Sequence, residues 1–116
     1  MILYRPVGTV ELQLIEKSGY QCFPPRLPEQ PIFYPVLNRK YACEIAGGWN
    51  VKYESDHKGY VTKFEVEDEY LSQFAIHVVG REYHQEYWIP AEELSNFNRH
   101  IIGRIEVIDE FSDRKS

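Results

Sequence analysis

Five of the chain's seven prolines fall between Gln21 and Pro35, at positions 24, 25, 28, 31 and 35. Each removes an amide donor and pushes its predecessor into extended backbone, so this stretch can be neither a helix nor an inner strand. It is a stiff, irregular segment. Such a segment can simply wrap the domain. It can also hold a ligand-facing wall in place with little further loss of freedom on binding.

Before the proline block, Ile2 to Arg5 reads as a first strand. Gly8 allows a turn, and Thr9 is in position to cap a helix whose first turn holds Glu11. Gly19 is the expected stop, with the helix running to about Ser18. After the block, Asn38 opens a second helix. Tyr41, Ala42, Ile45, Ala46 and Trp49 share one of its faces, and Gly47-Gly48 weakens its end. Asn50 to Gly59 reads as a polar loop with its tip at Asp56–Gly59.

Alternation then takes over, with Tyr60, Thr62, Phe64 and Val66 on one face of a strand. Tyr70–Ser72 suggests one helical turn. Phe74, Ile76 and Val78 mark another strand, and Gly80-Arg81-Glu82 a turn. His84–Ile89 reads as a third strand with His84, Glu86 and Trp88 on one face. Pro90 suits the first position of a helix carrying Ala91, Leu94 and Phe97. A final strand lies within Ile101–Phe111, with Ile105 and Val107 inward. Helical, irregular structure first and mostly antiparallel sheet later predicts an α+β fold with about three short helices. A chain of 116 residues fits a single domain over 1–112, followed by a polar tail over 113–116.

Thirteen Lys and Arg against 18 Asp and Glu give a net charge of -5 with no basic run, which argues against an extended nucleic-acid surface. No apolar stretch reaches a membrane span, and Met1–Pro6 does not read as a signal peptide. Cytoplasmic residence with reduced Cys22 and Cys43 is the expectation, Cys43 being a small buried helix residue. The spacing of His57, His77, His84 and His100 matches no compact metal motif. Glycine-rich phosphate loops, zinc-protease helices and calcium loops are missing.

Two residues invite a functional reading. Glu86 sits inside a strand, either facing solvent or held in a cleft where His84 and Trp88 join it. Arg5 ends a strand beside a glycine turn. It is either a surface residue or a ligand for a phosphate or ribose hydroxyl.

Leu3-Tyr4-Arg5-Pro6-Val7-Gly8-Thr9, with the following helix and Gly19, resembles the opening of the ADP-ribosyltransferase fold. Ile32-Phe33-Tyr34 followed by Asn38 and Tyr41–Ala46 is similar to that family's second motif. His84-Gln85-Glu86 before Tyr87-Trp88-Ile89-Pro90 resembles its third. From Leu3 to Ile108 the chain is also similar to small bacterial proteins labelled "ADP-ribosylation/crystallin J1". The crystallin half of that label implies long, all-helical metalloenzymes, which this short, strand-rich chain does not fit.

The resemblance implies a compact ADP-ribosyltransferase-like domain that uses NAD as substrate. It puts Arg5 and Thr9 on the cofactor, Tyr34 or Tyr41 against nicotinamide, and Arg26 either at the pyrophosphate or on the surface. Glu86 becomes the catalytic carboxylate, with His84 beside it. The acceptor for ADP-ribose is not specified: protein, small molecule, nucleic-acid end or water all remain. A non-catalytic interaction module, or a sensor of NAD or ADP-ribose, shares the same features and stands as the alternative.

Overall fold

The computed structural model describes residues 1–112; the polar tail expected at 113–116 lies outside the described residues. It shows an α+β fold in which every strand pair is antiparallel. The central sheet has the order β1 (Ile2–Val7), β3 (Lys58–Val66), β7 (Ile101–Ser112). Two small ribbons accompany it: β2 (Ile32–Phe33) with β6 (Ile89–Pro90), and β4 (Ile76–Val78) with β5 (Gln85–Tyr87).

Val36 stitches the second ribbon to the central sheet. It exchanges backbone hydrogen bonds of 2.8 and 2.9 Å with Tyr4, while its neighbours Pro35 and Leu37 bond Tyr87 and Gln85 at 3.0 and 3.1 Å. Contrary to expectation, the end of the proline block thus lies between two strands, β1 and β5: Val36 supplies an amide to Tyr4, and Pro35 takes part through its carbonyl alone.

The helices are α1 (Thr9–Lys17), α2 (Arg39–Glu44), α3 (Val51–Tyr53), α4 (Asp68–Leu71) and α5 (Leu94–Arg99). A π-helical stretch, Ile45–Asn50, joins α2 and α3 into one rod, leaving four separate helices rather than three. Asn38 caps α2 as expected, its side chain accepting from the Tyr41 amide at 2.8 Å. α1 ends as the sequence predicts, before Gly19 at φ 77°. Its N-cap, however, is Gly8; the Thr9 hydroxyl donates to Asp56 instead.

The sheet is covered on both faces. On one lies an aromatic core where Phe23, Phe33, Phe64 and Phe97 meet edge-on or tilted, with ring centroids 4.8 to 6.2 Å apart. On the other, the rod lays Ala42 and Ala46 against Val61 and Val36. Gly59 makes that approach close, because a Cβ there would run into the Ala46 carbonyl oxygen.

Further expectations are corrected. The Gly47-Gly48 pair, expected to weaken the end of the second helix, lies inside its π-helical stretch, and the segment read as a loop from Asn50 begins as its continuation. Trp49 is not on the packed face but 61% exposed. A π stretch bonds i to i+5 and so turns less per residue, which brings Asn50, four after Ala46, to the inside instead. The strand expected at His84–Ile89 is broken at Trp88, its two pieces pairing with different partners, and Pro90 closes β6 one residue before a 3₁₀ turn at Ala91–Glu93. Val107 is 41% exposed although Ile105 is buried. Register shifts flank the pairing of Val107 with Thr62, and such bulges bend and twist a strand.

Candidate functional site

A cleft of about 790 Å³ opens between the start of α1, the proline block, the rod and β5, within the range of small-molecule sites. Arg5, Arg26, Tyr34 and Glu86 all line it, together with Pro24 and Pro25 of the stiff segment. Four residues that the sequence left far apart in the chain therefore share one cavity. Tyr41 lies immediately behind it, touching Glu86.

Glu86 is 8% exposed, so its carboxylate does not face open solvent. Trp88 Nε1 donates to Oε1 at 2.8 Å, and the Tyr41 hydroxyl donates to Oε2 at 3.2 Å. A carboxylate has about four acceptor positions, so two such donors fix its orientation and leave capacity for a ligand hydroxyl. The arrangement also acts on Tyr41. Burial first, then the Glu86 charge and hydrogen bond, push the phenol up to about 12, so it donates throughout the neutral range.

The aromatic groups are braced in turn. Trp88 stacks on His77 with centroids 3.8 Å apart, and Tyr34 meets Trp88 edge-on at 6.4 Å. Tyr41 stacks on His84 at 4.4 Å.

His84 itself points away from the cleft. Its Nε2 lies 3.0 Å from Glu44, and its Nδ1 accepts from the Arg81 amide. The Tyr83 hydroxyl first, and then His84, hold the Glu44 carboxyl below its usual range by hydrogen bonding. His84 therefore acts on Glu86 through Tyr41, not by facing the same ligand. Thr9 likewise lies outside the lining, its hydroxyl turned to Asp56.

Arg5 is buried in the wall, and its charge is already met. Nε and Nη2 donate to the two Glu11 oxygens at 2.7 and 3.0 Å, and the guanidinium lies 4.6 Å over the Phe33 ring. Its Nη1 reaches the Tyr34 carbonyl at 3.5 Å. Arg26 is different: Nε donates to the Ile32 carbonyl at 3.1 Å, while its Nη groups have no partner among the described residues. Burial, then the nearby Arg5 charge, lower its pKa, with Glu11 and Tyr34 acting in the opposite sense. A guanidinium remains charged at neutral pH even so, which makes Arg26 the cation in this cleft with donors to spare.

Sequence reasoning missed Glu11 as the partner of Arg5, and Trp49, Asn50 and Glu54 as cleft residues. The Arg5–Glu11 pair bridges a strand and the following helix, and the acidic first turn gave its one local signal. The other three became cleft residues through the π stretch, for which Gly47-Gly48 was the sole hint. Gly8 leaves room for the Glu54 carboxylate, because a Cβ at that position would overlap it. Asn50 keeps its Oδ1 buried without a hydrogen-bond partner.

Cys43 is half-buried, its thiol donating to Asp109 at 3.3 Å, and Cys22 is exposed; neither forms a disulfide. Among the described residues no group of three or more His, Cys, Asp or Glu is placed to hold a metal ion, and no helix is long and apolar enough to cross a membrane. The chain matches no family model, no curated protein and no solved structure.

Proposed function

We propose that the cleft binds a nicotinamide dinucleotide and that the protein cleaves its nicotinamide–ribose bond in the manner of a mono-ADP-ribosyltransferase. The observation that carries this reading is the convergence of Glu86, Tyr34, Trp88 and Arg26 on one cavity. The chemistry of the set fits the ligand. Arg26 offers unused donors for the pyrophosphate. Tyr34 and Trp88 supply aromatic surface for the nicotinamide ring. Glu86, held in a fixed orientation, is an acceptor for the ribose 2′-hydroxyl.

As the N-glycosidic bond breaks, nicotinamide leaves with the bonding electron pair and positive charge grows on the ribose. A fixed carboxylate stabilises that charge more than it stabilises the ground state, which is what raises a rate. The acceptor then bonds to the ribose carbon and releases its proton to solvent. In this reading Arg5 is a positioning residue, since Glu11 engages it while its Nη1 lies against the Tyr34 carbonyl. His84 and Tyr41 set the orientation of Glu86 from behind.

The same commitment of Arg5 to Glu11 favours a second reading, a sensor that binds NAD or ADP-ribose without turnover. Among the described residues it leaves Arg26 as the one guanidinium in the cleft with unpartnered Nη groups to meet two phosphates.

Calorimetry with NAD and ADP-ribose, paired with an assay of nicotinamide release, separates the two. For a transferase, Glu86→Gln keeps NAD affinity within a few-fold and lowers nicotinamide release about a hundredfold. Release by Glu86→Gln at the wild-type rate overturns the catalytic role. Binding by the wild type without any release selects the sensor. No binding of either ligand overturns both.

A further inference from the structure

A second hollow, of about 840 Å³, lies on the other side of the proline wall, between the Gln21–Phe23 stretch, α5 and the start of β7. Pro25 contributes to both cavities, so the two back onto each other across that segment. Its walls are mostly apolar, with Phe23, Leu94 and Ile101 forming the inner surface. Arg99 and Arg104 stand at the rim, both exposed, and neither side chain makes a hydrogen bond or ion pair among the described residues.

The hollow is built rather than incidental. The Asn98 side chain clamps the Phe23 backbone from both ends, accepting from its amide at 2.9 Å and donating to its carbonyl at 3.0 Å. The Ile105 amide ties the opposite side to the Tyr20 carbonyl at 2.7 Å. Gly103, at φ 77°, falls in an irregular stretch of the β7 register just before Arg104, which lines the hollow together with Arg99. Walls fixed in this way lose little freedom when a ligand enters.

We propose that this second hollow binds a small molecule with a monoanionic carboxylate head and an apolar body. Two guanidiniums and the Glu92 carboxylate leave one net positive charge at the rim, which matches a single negative charge better than a dianionic phosphate. The chain's overall charge of -5 acts in the same direction, since it repels a dianion more strongly than a monoanion. Guanidiniums pair with carboxylates in a planar, two-point geometry. The apolar walls take up the body of the ligand, each buried methylene tightening binding about fourfold.

Decanoate is the probe, with decanol as its uncharged counterpart. Decanoate should bind to the full chain at least about tenfold more tightly than decanol, and Arg99→Gln and Arg104→Gln should each weaken it about five- to tenfold. Both arginines are exposed, so the variants fold; Arg99→Lys and Arg104→Lys should recover part of the affinity. Cys22 lines the same hollow and is an exposed free thiol, so decanoate should also slow its alkylation, a readout independent of any activity. Equal affinity for decanol, unchanged affinity in both glutamine variants, or unprotected Cys22 would each overturn the proposal. None of these outcomes bears on whether the first cleft holds a dinucleotide.

Discussion

Leu3, Arg5 and Val7 point to the same face of β1, and all three are buried. The two aliphatic residues join the aromatic core. The arginine between them does not; it turns to Glu11 and the cleft. The two regions therefore sit side by side on one strand and solve burial differently. In the core, Phe97 is fully buried and contacts Phe33, Phe64 and Tyr70 through ring faces and edges. Around the cleft, Arg5 and Glu86 are less than a tenth exposed and are matched by charge or hydrogen bonds, while the equally buried Asn50 keeps its Oδ1 unmatched. Apolar packing tolerates any partner of the right volume, whereas a buried charge needs one particular group in one place. A chain that puts charge at core positions gains little stability from it, and such local conflicts mark functional sites.

That contrast can be broken from either side. The largest effect should come from the core: Phe97→Ala removes the centre of the aromatic cluster and should cost about 3–5 kcal/mol in a urea titration, a large part of the stability of a typical small domain. A loss below about 1 kcal/mol would show that the aromatic layer is not what holds the sheet.

Next comes the polar layer. Glu11→Gln strands a buried guanidinium and should cost about 2 kcal/mol, less than for a wholly buried pair because Glu11 retains partial exposure. The double change Arg5→Met with Glu11→Leu should return stability to within about 1 kcal/mol of the wild type while damaging the cleft. If the double variant is less stable than Glu11→Gln alone, the pair contributes to stability and the contrast drawn above is wrong.

The smallest effect is one of pH. Tyr41 is pushed up to about 12 by burial and then by Glu86, and Tyr70 is raised further by burial and then by its bond to Glu93. An unfolded tyrosine loses its proton near 10. Below that pH both states hold the proton and the contribution is fully present. As pH rises from about 10 to about 12 the unfolded state ionises first, and stability is lost. Tyr41→Phe should flatten this alkaline limb in denaturation curves at successive pH values; an unchanged slope would mean that Tyr41 ionises alike in both states.

The legible parts of the fold were those set by a few neighbouring residues. The stop of α1 at Gly19, the Asn38 cap, the turn at α4 and the inward Ile105 all follow from local backbone preference or short-range alternation. The candidate site was legible in part for a similar reason. Glu86 inside a strand, just ahead of Tyr87-Trp88-Ile89, and Arg5 within a strand are local oddities, and both prove to be buried. His84 and Thr9 were oddities of the same kind, yet the structure gives them partners on other elements, Glu44 and Asp56. No local pattern distinguishes a polar residue that faces a cavity from one that finds a partner across the surface.

The sequence by itself determined the α+β class, the antiparallel habit of the second half and the stiff wall at Pro24 and Pro25, because proline geometry, capping and side-chain alternation act within a few residues. Only the tertiary structure decided that Val36 would join β1 to β5, that the rod would pass through Gly47-Gly48 as a π turn, and that Arg5 would be neutralised by Glu11 while the Arg26 Nη groups kept no partner among the described residues. Those outcomes depend on which groups meet across the fold, and pairing energies between distant residues exist only once the chain has closed on itself.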